Sequence, residues 1–158
     1  MVELGYSRLV IFSASTSHAL RALSWLATQG ERGPVMGHDL ASRLGLPPAY
    51  LAKILRTLVR RGILRAARGA HGGYTLARPA DEIALIEIIE PFEGVRARPG
   101  CLLRPDRPCR QSNGCSAHPT WATAKKAYLE LVESSTLADI RGPDHARAQP
   151  RRRPKIRG

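Results

Sequence analysis

Between Val35 and Arg78 the chain runs through a short amphipathic segment, a tight turn, a second amphipathic segment and a strand–turn–strand, with no spacer between them. Few folds accommodate that order. In the first segment, Asp39 to Leu44, the apolar residues Leu40, Ala41 and Leu44 fall at helical spacing, and Gly45 supplies a stop. Pro47 and Pro48 lack backbone donors and fix φ, which suits a turn and the first position of a new helix. From there Leu51, Ile54, Leu55 and Leu58 recur as a buried stripe, with Tyr50, Lys53, Arg56 and Arg60 on the opposite face. Gly62 ends that helix, Ile63 to Gly69 predicts a strand, Ala70-His71-Gly72-Gly73 a tight tip, and Tyr74 to Ala77 the returning strand. Helix, turn, basic helix and basic hairpin predict a winged helix-turn-helix, a mainly α fold with a small β-hairpin wing.

Such a unit sets its second helix in the major groove of DNA and reads base edges with the exposed N-terminal half, while cations on flanking elements hold phosphates. Ala49, Tyr50, Lys53 and Arg56 occupy the base-reading end; Arg60, Arg61, Arg65 and Arg68 are the phosphate candidates, and His71, Gly72, Gly73 and Tyr74 bring the wing tip to the duplex. A charge run is more often a solvated helix face. Here the helix, its turn and its hairpin occur together and in order, which favours the nucleic-acid reading. The charge balance agrees: 25 Lys and Arg against 13 Asp and Glu give +12, which selects for polyanions without separating DNA from RNA or an acidic membrane surface. Residues 141–158 carry seven of those cations against Asp144 alone, so +6 of the net charge sits there.

The pattern G-L-x-x-x-Y-L-x-K-I-L-x-x-L-x-x-x-G-I-L over residues 45–64, followed by R-G-x-x-G-G-Y-x-L-A-R-P, resembles the Rrf-type winged-helix regulators, the family of the IscR and NsrR iron-sulfur sensors. The resemblance spans roughly Ala14 to Ile140. It implies a dimeric, DNA-binding transcriptional regulator and a long C-terminal dimerisation helix.

The remaining segments divide accordingly. Residues 1–13 read as an extended arm without an assigned role, and 14–90 as the winged DNA-binding unit. Ser15 is the expected N-cap of a helix from Thr16 to Thr28 with Ala19, Leu20, Leu23, Leu26 and Ala27 buried, Trp25 packing, and His18 and Arg21 towards solvent. Ala80-Asp81-Glu82 opens a short helix through Ile89 that Pro91 is expected to stop. Residues 91–118 hold all three cysteines among prolines and glycines, without helical periodicity. Pro119 reopens helix, where Trp121, Ala124, Tyr128, Leu131 and Val132 form an apolar stripe that one winged unit does not readily cover. By resemblance it meets its mate in a homodimer, which would place two recognition helices on a two-fold symmetric operator. Residues 119–140 are thus the dimerisation helix and closing segment, and the Pro- and Arg-rich 141–158 a disordered basic tail.

No segment has the length of a transmembrane helix, and Leu9 to Phe12 is too short for a signal-peptide core, so a cytoplasmic protein is expected. In that reducing compartment three cysteines point to metal or redox chemistry rather than a structural disulfide. They read Cys101-x7-Cys109-x5-Cys115-x2-His118. Thiolates with an imidazole suit an iron-sulfur cluster, and a tetrahedral zinc site or a thiol switch uses the same residues. The resemblance favours the cluster, because the three cysteines fall where IscR-like and NsrR-like members carry theirs and His118 matches the IscR-like histidine, which favours two irons and two sulfides over four. Two departures accompany it: the first gap is two residues longer than the IscR-like pattern, and Ser17 stands where some NsrR-like members donate an acidic ligand. No nucleophile–base pairing, phosphate loop or pocket-forming segment points to an enzyme, and no small-molecule substrate or membrane partner is expected.

Overall fold

The computed structural model describes residues 12–30, 33–69, 72–95 and 115–140. Helix α1, Ala14–Gln29, begins at Ser13, whose Oγ accepts the Thr16 N–H at 3.3 Å. The cap therefore lies two residues before the expected Ser15, whose hydroxyl instead sits 3.3 Å from that of Tyr50. Thr16, Ala19, Ala22, Leu23, Ser24 and Leu26 are buried, whereas Leu20 and Ala27, expected among them, are half-buried. The buried face is wider and turned because α1 packs against three further helices and the second strand.

Helix α2, Gly37–Leu44, buries Leu40, Ala41 and Leu44 and closes at Gly45, after which Leu46 donates back to the Ala41 carbonyl at 2.9 Å. Helix α3, Pro48–Arg60, starts with Pro48 in its first turn, and Leu51, Ile54, Leu55 and Leu58 are all buried as the spacing predicts. Strands β1, Leu64–Ala67, and β2, Gly73–Leu76, pair antiparallel with Leu64 opposite Leu76 and Ala67 opposite Gly73. Gly73, expected in the tip, is thus the first residue of β2. Its φ of 149° and the Val35 carbonyl oxygen, 2.5 Å from where a Cβ would sit, leave room for glycine alone. That close approach exists because Val35 and Tyr74 exchange two backbone hydrogen bonds, of 2.8 and 3.0 Å, and tie the wing to the start of the helix-turn-helix.

After the wing the structure departs from the expected single helix. A 3-10 turn at Ala80–Glu82 is separated from helix α4, Leu85–Glu93, by extended backbone at Ile83 and Ala84. The cause is tertiary: the Ile83 carbonyl accepts the Leu137 N–H at 2.8 Å, Leu85 donates to Ser135 at 2.9 Å, and Ala84 bridges Thr136. Pro91 does not stop α4. It lies in the last turn, where a missing N–H removes a single bond, and the helix ends at Gly94 with a left-handed φ of 59°.

Helix α5, His118–Ser134, carries Pro119 in its first turn. Its apolar stripe is partly covered within the chain: Val132 is 1% exposed in the core, and the Tyr128 ring lies 6.3 Å from that of Phe12, a residue expected in the free arm. Leu131 remains 59% exposed. Beyond α5, Leu137 is fully buried, and the Asp139 carboxylate accepts both the N–H and the hydroxyl of Thr136, at 2.7 and 2.9 Å. These hydrogen bonds hold the Asp139 carboxyl below its ordinary pKa. Helices and hairpin share one apolar core, and no helix among the described residues is long and apolar enough to cross a membrane.

Candidate nucleic-acid interface and cysteine site

The stripe that buries one side of α3 fixes what the other side presents. Ala49, Lys53, Arg56 and Arg60 are exposed along it, and Arg61, Arg65 and Arg68 continue the exposed cationic surface into the wing. The Arg56 Nε donates to the Ala52 carbonyl at 3.3 Å and Arg60 to the Thr57 hydroxyl at 3.3 Å, so both guanidinium groups lie along the helix surface. Between α3 and the hairpin runs an open groove lined by Lys53, Arg56, Thr57, Val59, Arg60, Ala66 and Tyr74. Three cations and no carboxylate border it among the described residues, a lining suited to one phosphodiester strand.

Two residues expected at the DNA have further duties. Tyr50 is half-buried, its hydroxyl next to Ser15 and its ring edge-on to His18 with centroids 5.8 Å apart, so the first turn of α3 is braced on α1. Tyr74 bridges Val35 by its backbone, and its ring lies 3.2 Å from where a Cβ on Gly37 would sit. Gly72 is buried, a Cβ there meeting the Ala67 carbonyl oxygen at 2.5 Å, whereas His71 lies outside the described residues.

His18 and Arg21, expected towards solvent, are half-buried, and His18 Nδ1 and one terminal Arg21 nitrogen are covered without a hydrogen-bond partner among the described residues. Burial, and then the positive charge of Arg21, lower the His18 pKa. Trp25 packs as expected, with the Arg43 guanidinium 5.4 Å from its ring centroid. Spacing within α1 does bring Arg21 beside His18, but it does not reveal Tyr50 or Arg43, which lie on other helices.

Of the four candidate cluster ligands, Cys101 and Cys109 lie outside the described residues. Cys115 is half-buried and forms no disulfide among the described residues, and its carbonyl accepts the His118 N–H at 3.1 Å. The two thus share one turn at the head of α5, a spacing that lets thiol and imidazole serve one site. Among the described residues no group of three or more His, Cys, Asp or Glu gathers as a metal site.

The sequence pattern of the Rrf2 family, described as iron-dependent transcriptional regulator, matches residues 12–142. The chain belongs to the Rrf2 family. Among its relatives, the protein rrf2 of Nitratidesulfovibrio vulgaris is 32% identical over 124 residues, covering 78% of this chain and 81% of that protein. Among solved structures, CymR, the global cysteine regulator of Bacillus subtilis, superposes with a TM-score of 0.68 at 25% identity over 82% of this chain and 94% of its own. IscR of T. potens follows at 0.62 and 30% identity, over 81% and 83%. As a member of the Rrf2 family the protein is a DNA-binding transcriptional regulator, and its helices and hairpin form the winged helix of those structures.

Proposed function

We propose that this Rrf2-family regulator binds a two-fold symmetric operator as a homodimer and that an iron-sulfur cluster on Cys101, Cys109, Cys115 and His118 controls that binding. The observation that supports the cluster assignment is the backbone turn from Cys115 to His118 at the head of α5, in which the His118 N–H donates to the Cys115 carbonyl and keeps the two residues within one turn of each other. Two further thiols in the preceding segment complete a soft donor set, and the family is described as iron-dependent. When bound, such a cluster supplies one-electron chemistry and lability, with two irons favoured by the histidine ligand.

The chain's own residues do the rest. α3 enters the major groove with Ala49, Lys53 and Arg56 at base edges and Tyr50 bracing its first turn. Arg60, Arg61, Arg65 and Arg68 hold phosphates, one strand lies in the cationic groove, and His71 to Tyr74 carry the wing against the neighbouring groove. The exposed Leu131 belongs to the dimer face of α5. The units follow as 14–90 for DNA, the cysteine segment to 118, α5 with its closing turn for dimerisation, and the basic 141–158 beyond.

Protein purified without oxygen, with visible absorbance recorded and iron, sulfide and zinc quantified, tests the assignment. Iron and sulfide with visible bands support it. Zinc without sulfide moves the site to a Cys3His zinc centre, and neither metal, with thiols that oxidise reversibly, moves it to a thiol switch. His118→Ala and His118→Cys then decide the fourth ligand: both keeping the parent's spectrum and cluster lifetime removes His118 from the set.

A further inference from the structure

Where α4 ends, one carboxylate reaches across the fold. Glu93 Oε1 accepts the Ser13 backbone N–H at 2.7 Å and the Thr16 hydroxyl at 2.6 Å, and Thr16 is fully buried. Both donors belong to the start of α1, so Glu93 supplies negative charge and an acceptor where the helix leaves N–H groups open. The α1 first turn carries no acidic residue of its own. In the same turn Ser15, and one turn further on His18, hold the hydroxyl and ring of Tyr50 in the first turn of α3. On its other side Glu93 is followed by Gly94, which ends α4 and hands the chain to the segment containing Cys101 and Cys109. A continuous path of touching groups therefore runs from the root of the cysteine segment, through Glu93 and the α1 cap, to the base-reading end of α3.

We propose that Glu93 is a positioning residue that couples the state of the cysteine site to the recognition helix by clasping the N-terminus of α1. The proposal rests on cysteine control of DNA binding and names the route by which that control travels. The cysteine segment follows Gly94 in the chain, so a change in what its thiols hold is passed to Glu93 through that junction, and the Glu93 carboxylate is the link that releases or holds Ser13 and Thr16. With the clasp open, the first turn of α1 loses its anion and acceptor, and the brace on Tyr50 loosens with it. The sequence conceals this device, since Glu93 lies 77 and 80 residues from its two partners.

A merely structural role for Glu93 would weaken DNA binding equally whatever the cysteine site is doing, so the informative quantity is a ratio. Affinity for a duplex selected from a random pool by the full-length parent is measured for four full-length proteins: parent, Cys115→Ala, Glu93→Ala and the double variant. The expected result is that Cys115→Ala changes affinity at least about fivefold in the parent background, the low end of ordinary coupling, and less than about twofold in the Glu93→Ala background. Glu93→Gln keeps an acceptor oxygen and retains most of the parent's ratio. Thr16→Val removes one donor at nearly constant shape and lowers the ratio even where Glu93→Ala folds poorly. Equal ratios with and without Glu93 or Thr16 overturn the coupling while leaving cysteine control intact. A ratio of one in the parent overturns cysteine control itself, and the coupling falls with it.

Discussion

His18 stays neutral over a wider span of pH than an open imidazole, because burial and the neighbouring Arg21 cation both disfavour its protonation. The unfolded chain takes up a proton near the ordinary value of 6.5, whereas the folded chain does so only at lower pH. Stability contributed by neutral His18 is thus present above 6.5 and declines as pH falls below it, levelling off once folded His18 protonates as well. His18→Phe preserves a ring against Tyr50 and removes the proton, so its denaturation midpoint should fall less than the parent's between about pH 7.5 and 5.5; parallel curves would remove His18 from that role. Gly73→Ala meets the Val35 carbonyl in a backbone region that L side chains avoid, and a loss of about 2 kcal/mol or more is expected in urea unfolding. At this scale the sequence is informative about identity and poor on partnership. It places glycines in the wing because Gly pairs mark turns, but cannot show that Gly73 is held by Val35 rather than by the turn. It places His18 on a polar helix face, and only the packed α3 reveals that the face is covered. The missed Ser13 cap has the same origin: two hydroxyls two residues apart both suit an N-cap, and the hydroxyl of Tyr50 claims the second.

Helices α2 and α3 and the hairpin are the elements most fully written in the chain, since a sharp turn, a 3.6-residue stripe and a Gly-rich tip are local signals. The basic outer face of α3 then makes a quantitative demand. Neutralising Arg60 or Arg65 should lower the salt slope of DNA binding by about 0.9 for each phosphate the variant no longer neutralises, with sequence preference kept. Changing Lys53 should instead relax preference at one position by roughly 1–3 kcal/mol; equal weakening on every sequence would move Lys53 to the phosphate group. α4 and α5 are less legible for the opposite reason. The break at Ile83 and Ala84 is imposed by the closing segment from Ser135 to Leu137, some 50 residues along the chain. The α5 stripe reads as one apolar face, yet it is shared: Val132 and Tyr128 face their own chain, and Leu131 is left outside. Leu131→Glu should therefore shift the protein towards monomer in analytical ultracentrifugation with little loss of helix content, and an unchanged dimer would place the interface elsewhere.

At the scale of the whole molecule, the DNA-binding head and the proposed cysteine site are separate in the chain, and the proposed regulation requires that the two be coupled in free energy. The head is legible because its fold depends on near neighbours in sequence. The proposed site is legible only as a donor set in the sequence, because Cys101 and Cys109 lie outside the described residues and ligand geometry is set by the bound group rather than by spacing. The central claim is that this group governs DNA affinity, and the direct measurement is a titration of affinity against cluster content. Protein held without oxygen is bound to the selected duplex at fixed salt while the cluster is removed stepwise, with iron and sulfide quantified at each step. The account predicts an affinity, or a choice between duplexes, that changes in proportion to the cluster removed, and no such change in Cys101→Ala or Cys109→Ala protein. An affinity that stays constant from full occupancy to none would contradict it.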